Sequence, residues 1–374
     1  MKWRKLINMK KIKVLHVING MGSGGAEMVI MNWLRNIDLN KFQFDFLLRS
    51  KKNIFDTEIK KAGGNVYYTS SFPNHFIKNH YETKHFFEKN KYDIVHVHGN
   101  ALIYMTAFIQ AKKNNIPVII AHSHNTKVAK WYYTPLHIFN RMRITKYANV
   151  YLACSNDAGK WMFNNNKYKV IDNAVDQKKF SFNLIKRNEL RSKYNFNDKI
   201  VIGHIGRFLK SKNHSFIIKV FKEIEKHNKN VVLLLIGEGP DKPKIENLVK
   251  DEKLDDKVLF LGIRNDIPDL MQCMDLLLFP SLYEGFPVTL VEAQVAKLPC
   301  LISDNITKDV QISNELSFLS LNDNIKKWAN KSIELANIDR NLIKFNEKKS
   351  NYDIKNVTKK LSDIYESKLK EINK

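Results

Sequence analysis

The sequence predicts an α/β protein of two domains, each a doubly wound parallel sheet covered by helices on both faces. Three observations carry this. Short apolar runs alternate with helix-compatible segments almost from end to end, the pattern of strands buried on both faces. That pattern stops at a polar, charged stretch, Asp176 to Lys199, and starts afresh at residue 201. A chain of 374 residues with 44% hydrophobic content is also long enough and apolar enough for two cores of ordinary size.

In the first half, strands are read at KVLHVIN (13–19), FQFDFLL (42–48), NVYYT (65–69), DIVHVHG (93–99), PVIIAHS (117–123) and VYLACS (150–155). Each is a short apolar run without helical period. Helices lie between them, the first spanning Ala26 to Ile37. After KVIDNAV (169–175), the polar stretch holds one weak helical turn. The pattern then repeats through VIGHIG (201–206), VVLLLIG (231–237), VLFLG (258–262), DLLLFPS (275–281) and CLIS (300–303), and the remainder reads as helical and Lys-rich. The expected domains are 1–180 and 181–353, with 354–374 as a final helix.

Composition narrows the function classes. The longest apolar runs fall well short of the roughly 20 residues a membrane-spanning helix needs. Residues 1–13 are basic without a continuous apolar core, so no secretory signal is read and a cytoplasmic protein is expected. Cys154, Cys273 and Cys300 form no CxxC pair and read as small buried apolar residues rather than disulfide or zinc ligands. The net charge of +24 is uneven: residues 1–180 hold 29 Lys+Arg against 11 Asp+Glu, the remainder 33 against 27. From Ile94 to Asn156 there is no acidic residue. In that window Lys127, Lys130, Arg141, Arg143 and Lys146 alternate with Trp131, Tyr132, Tyr133, Phe139 and Tyr147. Basic and aromatic residues together suit an anionic membrane surface. Nucleic acid is not expected as a partner, because no zinc-finger, helix-turn-helix or RNA-stacking motif accompanies the charge.

Chemistry concentrates where strands end. Glu284-Gly-Phe-Pro-Val-Thr-Leu-Val-Glu292 sets two carboxylates eight positions apart across a strand-to-helix junction. Glu284 falls in the turn and Glu292 on the helix, whose free backbone N–H groups and positive dipole end favour a diphosphate. Gly285 permits the turn, and Phe286, Pro287, Val288, Thr289 and Leu290 form the stretch offering backbone donors. Arg207 directly follows a buried strand ending at Gly206, with Lys212 five residues on. A planar guanidinium there grips two phosphate oxygens while the lysine supplies a point charge. His122 and His124 stand where another buried strand ends, an edge that faces ligand crevices in such sheets.

As a set, Glu284 to Glu292, Arg207 with Lys212, Ile236-Gly237-Glu238-Gly239-Pro240, Leu259-Phe260-Leu261-Gly262 and Gly24-Gly25-Ala26-Glu27 resemble the retaining nucleotide-sugar transferases of glycosyltransferase family 4, in type and order, from residue 12 to about 310. The resemblance implies the GT-B fold, two Rossmann-like domains facing across a cleft. It implies that Arg207 and Lys212 clamp the donor diphosphate, that Glu284 faces the donor sugar and its phosphate side, and that Glu292 holds ribose hydroxyls. Leu261, Gly262 and Arg264 would border the base, and Gly24 and Gly25 would let backbone approach the donor phosphates. An active-site histidine is implied too. His124, followed by Asn125, fits best, and a swap with His122 stays open. His96 and His98 are read as structural or acceptor-side, and Ser155 and Asn173 as cleft-lining residues or as caps and turn formers. No cofactor is implied, the nucleotide sugar being a co-substrate. No metal is implied either, since the two cations meet the phosphate charge and no DxD motif occurs. The phrases AHSHNT, GRFLKSKNH and SDNITKDV resemble the subgroup that builds capsular or exopolysaccharide repeats, whose acceptor is a lipid-linked diphosphate sugar.

Three other readings compete. Gly20 to Gly25 formally satisfies GxGxxG, with Asp45 twenty residues on, as in NAD-dependent oxidoreductases. Asp45 lies inside its strand, however, rather than at the carboxyl end. Glu284 and Glu292 could be a retaining glycosidase pair, but such an enzyme has no use for Arg207, Lys212 and a helix N-terminus around a diphosphate. His122 and His124 could be a metal pair, for which no third ligand is spaced to complete a site. Two positions depart from the family pattern: Ala174 and Lys297 stand where relatives commonly have glycine. The first would alter hinge geometry, the second only a helix end.

Overall fold

A computed structural model describes residues 11–22, 24–51, 53–128, 130–346 and 351–372. The reading of residues 1–13 lies mostly outside these, as does Ser23 of the glycine loop. The chain divides into one unit of Met1–Ala174 with Ile354–Lys374 and another of Val175–Asp353. The first change of unit thus falls ahead of residue 180.

In the first unit, β1 (Ile12–Ile18), β2 (Phe42–Leu48), β3 (Val66–Tyr68), β4 (Ile94–Gly99), β5 (Val118–Ser123), β6 (Val150–Ala153) and β7 (Lys169–Val170) form one sheet, ordered β3-β2-β1-β4-β5-β6-β7. Every pairing is parallel. The strands are almost wholly buried, which is why they read as apolar runs rather than as alternations. Strand order reverses between β1 and β4, so the crevice at the carboxyl ends of these two is where a ligand belongs. The helix Ile354–Ile372 packs in this unit, burying Val357, Leu361, Ile364 and Tyr365 along one face.

The second unit holds β8 (Ile200–Ile205), β9 (Val231–Ile236), β10 (Val258–Gly262), β11 (Leu276–Phe279), β12 (Cys300–Ser303) and β13 (Leu316–Leu319), ordered β10-β9-β8-β11-β12-β13 and again all parallel. Its switch point lies between β8 and β11. Strand β13 corrects the helical reading of the chain's last third. Leu316 to Leu319 is short and only half-buried, but it pairs with β12 from Cys300 to Ser303.

The polar stretch is also more ordered than one weak turn. It forms two helices, Gln177–Phe180 and Leu184–Lys193. Asp176 caps the first by accepting from the backbone N–H groups of Lys178 (3.0 Å) and Lys179 (3.1 Å). The second carries Arg191, which is buried and donates to the Asp275 carboxylate at 2.9 Å and to the carbonyls of Cys273 and Phe196. Arg187 pairs with the same carboxylate, which also accepts the Val201 N–H at 2.8 Å. Charges of the polar stretch therefore fasten the second of these helices to the starts of β8 and β11. All three cysteines are buried and free.

Candidate active site

In the second unit the site is assembled from four loops at the carboxyl ends of β8, β9, β10 and β11. The loop after β8 runs over the start of the next. A Cβ on Gly237 would lie 2.1 Å from the Gly206 carbonyl oxygen, and Gly237 holds φ +140°. Gly262, at φ +63°, closes β10, and its carbonyl accepts the Gly237 N–H at 2.8 Å. Side chains would be excluded by space at the first position and strained by backbone at both. Gly285 is not among the glycines with positive φ.

Lys212 and Glu284 meet across the switch point. Lys212 Nζ donates to Glu284 Oε1 at 2.7 Å, both side chains more than four-fifths buried. The lysine also lies 4.7 Å from the Phe279 ring centroid. Its stem passes Gly206 closely: a Cβ there would approach Lys212 Cδ to 3.3 Å. The two loops are tied further by Leu282 N–H donating to the Ser211 carbonyl at 2.8 Å and Asn213 Nδ2 to the Pro280 carbonyl at 3.2 Å. Arg207 is exposed, and among the described residues no carboxylate or hydrogen-bond acceptor engages it. One cation is thus paired and one unneutralised, on a single loop.

The helix after β11 is Val288–Val295, with Pro287 at its N-cap and no side-chain cap. Its first N–H groups have no intrahelical acceptor. Glu292 lies one turn in and is partly exposed, yet burial pushes its carboxyl up to about 7, opposed only by Lys179. Lys179 sits on the helix Gln177–Phe180, which packs against Val288–Val295. Sequence reasoning gave it no role because it lay in the polar stretch between the two repeated patterns. At the end of β10, Arg264 forks onto Asp266 at 2.8 and 2.6 Å, beside half-buried Leu261 and Gly262.

In the first unit, Gly24 precedes the helix Gly25–Asn36. A Cβ on Gly24 would clash with the Glu27 carboxylate at 2.3 Å, whereas one on Gly25 would meet nothing within 4 Å. Asp45 is buried and occupied. Its carboxylate accepts from Tyr92 Oη at 2.9 Å and from the Asn65 backbone N–H at 2.9 Å, which ties the approach to β3. That placement gives the NAD reading no ribose ligand. Ser155 is a cap, accepting the Ala158 N–H at 3.2 Å, and Asn173 is buried.

The histidines differ most from expectation. His122 and His124 are not an isolated pair, since His16, His96 and His98 lie on the same face of the sheet. His98 Nε2 is 2.9 Å from His16 Nδ1, and His98 Nδ1 is 2.9 Å from His124 Nε2. His96 Nε2 is 3.0 Å from His122 Nδ1, and His96 Nδ1 is 2.7 Å from Tyr365 Oη. The expectation that no third nitrogen accompanies His122 and His124 is therefore corrected: one ring nitrogen from each of His98, His122 and His124 falls within 4.8 Å of the others, and the same holds for His16, His96 and His98. Alternation alone could have hinted at this, because 96, 98, 122 and 124 are period-two positions on neighbouring strands. His16 was hidden in an apolar run. Burial keeps all five neutral, lowering His16 to about 3, His124 to about 4 and the others well below their usual value.

The acid-free window forms the helix Thr134–Arg143, preceded by a turn of 3-10 helix at Trp131–Tyr133. Its inner side is anchored: His137 Nδ1 accepts the Leu102 N–H at 3.0 Å, and Asn140 Nδ2 donates to the Leu102 carbonyl at 2.8 Å. Its outer side exposes Trp131 (83%), Phe139 and Met142, which line one shallow apolar groove with Ile138. Among the described residues, no ion pair to a carboxylate engages Lys130, Arg141, Arg143 or Lys146.

Two doubly wound parallel sheets, with paired and unpaired cations at a switch point ahead of an uncapped helix, define a GT-B glycosyltransferase. The fold matches the crystal structure of HepE from Anabaena in complex with UDP and glucose, with TM-score 0.76 at 16% identity over 95% of this chain and 100% of that one. Residues 23–179 match glycosyltransferase family 4, and residues 186–355 match glycosyl transferases group 1. EpsF of Bacillus subtilis, which carries a glycosyltransferase assignment, is 35% identical over 86% of this chain and 87% of its own length. The capsular polysaccharide biosynthesis glycosyltransferase CapH of Staphylococcus aureus is 26% identical over 96% and 99%. The UDP-Gal:alpha-D-GlcNAc-diphosphoundecaprenol alpha-1,3-galactosyltransferase of Escherichia coli is 29% identical over 63% and 64%. The chain belongs to glycosyltransferase family 4.

Proposed function

We propose that this glycosyltransferase is metal-independent and retaining, and that it moves a hexose or N-acetylhexosamine from a UDP-linked donor onto a lipid-linked saccharide during capsule or exopolysaccharide synthesis. The observation that carries the donor assignment is the Lys212–Glu284 pair beside unneutralised Arg207, at the β8/β11 switch point. A diphosphate arriving there meets two cations and the N–H groups at Val288 and Thr289. Each well-placed donor that follows the charge of the departing diphosphate is worth about 3 to 4 kcal/mol. With that charge met by side chains and backbone, the site has no need of a divalent ion for it. Glu284 would orient the sugar while sharing Lys212, Glu292 would accept the ribose hydroxyls, and Leu261, Gly262 and Arg264 would flank the base. His124, or His122 in its place, would be the active-site histidine. UDP in HepE and a diphosphoundecaprenol acceptor for the Escherichia coli relative support the donor and acceptor classes.

The exposed Trp131, Phe139 and Met142, ringed by unpaired cations, support peripheral attachment to the anionic inner face of the plasma membrane, where a lipid-linked acceptor resides. No helix among the described residues is long and apolar enough to cross a membrane.

Calorimetry with UDP tests the donor site. Arg207→Ala and Lys212→Ala should each weaken binding about tenfold or more, as loss of a charge-assisted hydrogen bond implies. Unchanged affinity in both would overturn the assignment. Full turnover in EDTA and an α-anomeric product from an α-linked donor are the outcomes expected for the metal-independent, retaining reading.

A further inference from the structure

Five of the buried histidines, with Tyr365, form two separate hydrogen-bonded chains. One runs His16–His98–His124, the other Tyr365–His96–His122. One ends on β5 at His122, and the other ends one residue beyond that strand, at His124, the implied active-site histidine. Contacts of 2.9 and 3.0 Å are those of N–H···N hydrogen bonds, shorter than the about 3.3 Å between two nitrogens sharing a tetrahedral metal at 2.0–2.1 Å.

A neutral imidazole has one N–H, so each interior ring must donate on one side and accept on the other. The chains are therefore polarised, and one end decides the tautomer of every member. In the second chain the phenol decides. Tyr365 is fully buried, and among the described residues its hydroxyl has no hydrogen-bond partner but His96. The hydroxyl stays protonated, burial holding it well above its ordinary range. Phenol O–H to imidazole nitrogen is the stronger of the two possible directions, the phenol being the more acidic donor and the ring nitrogen the better acceptor, and the contact is short at 2.7 Å. Tyr365 therefore donates to His96 Nδ1, His96 Nε2–H donates to His122 Nδ1, and His122 keeps an Nε2–H, a buried atom with no partner among the described residues. In the first chain the terminal atoms are His16 Nε2 and His124 Nδ1, both buried without a partner. His16 is sealed against the rings of Phe44 and Phe46, with centroids at 4.3 and 5.4 Å. A buried N–H lacking an acceptor is costlier than a lone pair lacking a donor. The orphan N–H therefore belongs at the less buried end, His124 (8% exposed) rather than His16 (0%), and the bare nitrogen at His16.

We infer that these chains fix His124 as an Nδ1–H donor and His122 as an Nε2–H donor, making His16, His98, His96 and Tyr365 positioning residues for the transfer reaction. This rests on the proposed function for what His124 touches, but not for the tautomers themselves. His124 then serves as a neutral hydrogen-bond donor to a sugar oxygen and not as a base.

The test is a ring ¹⁵N–¹H correlation spectrum of histidine-labelled full-length protein at pH 7, without substrate, assigned by single substitutions. The expected result is opposite tautomers in the two chains: Nδ1–H at His16, His98 and His124, Nε2–H at His96 and His122. An Nε2–H at His124, imidazolium signals, or stoichiometric zinc, copper or nickel in the purified protein would each overturn it. His16→Phe should convert the His124 signals to a tautomer mixture and lower kcat about five- to tenfold, with the donor KM unchanged. Tyr365→Phe should do the same to His122. A purely structural role for His16 would lower stability and leave the His124 tautomer as it was. If a variant does not fold, the wild-type spectrum decides. If the wild-type protein transfers no sugar, the functional reading fails while the spectrum still settles the chains.

Discussion

Glu292 is the residue whose environment most changes its chemistry. Its carboxyl, raised to about 7 by burial, is half protonated near neutrality in the unliganded protein. Ribose hydroxyls donate to the ionised form, so donor affinity should rise as pH increases through 7 and level off above 8. Glu292→Gln should flatten that profile, which calorimetry across pH 6–8.5 would show. The same shift acts on stability. A carboxyl whose folded value lies above its unfolded one stabilises the fold fully at about pH 4, and that contribution is lost as pH rises through 7. Glu292→Gln should therefore unfold later than wild type at pH 8, by on the order of 1–3 kcal/mol, and show no such gain at pH 4. Lys297 offers a second, independent prediction. It follows the helix Val288–Val295 with φ +52°, the left-handed region. Glycine adopts that conformation without strain, whereas a lysine does not. Lys297→Gly should stabilise the protein by about 1 kcal/mol, read as a higher denaturant midpoint with an unaltered slope.

Among the elements, the helix Thr134–Arg143 is amphipathic in an unusual sense: polar His137 and Asn140 face inward, and aromatic residues face out. The inward groups are satisfied by backbone at Leu102, so the inversion costs no buried hydrogen bond. Neutralising Lys130, Arg141 and Arg143 together should reduce co-sedimentation with phosphatidylserine-containing vesicles. Each cation near such a surface is worth about 1 kcal/mol. Trp131→Ser should weaken attachment even to neutral vesicles, because its contribution is apolar. Binding that is indifferent to both changes would remove the membrane proposal. The helices Gln177–Phe180 and Leu184–Lys193 show the reverse case. Charged residues of the polar stretch are partly buried, because Arg191 and Arg187 on the second helix find Asp275 and a set of carbonyls.

At the scale of the whole molecule, the last helix decides the integrity of the first unit. Ile354–Ile372 buries Val357, Leu361, Ile364 and Tyr365 and packs against the helix Gly25–Asn36 and β5, more than two hundred residues earlier in the chain. Ending the chain at residue 353 should destabilise that unit by several kcal/mol, given about 1.5–3 kcal/mol for each large apolar side chain re-exposed. The second unit should keep its own transition, and calorimetry would resolve the two.

How much of this was legible depends on the range of the interactions involved. Eleven of the thirteen strands among the described residues announced themselves, because burial on both faces of a parallel sheet demands contiguous apolar residues. The missing two, β7 and β13, are edge strands too short and too exposed to carry that mark. Arg207, Lys212, Glu284 and Glu292 were legible because each sits at a fixed offset from a strand end, where turn and helix chemistry are local. The Lys212–Glu284 contact joins residues 72 positions apart, and the histidine chains join β1, β4, β5 and the final helix. Sequence determined the elements and the residues at their ends, since dihedral preference and burial act over a few neighbours. Tertiary structure alone decided which side chains touch, which charges are neutralised and which imidazole nitrogen carries its proton, since these depend on distances that strand order sets.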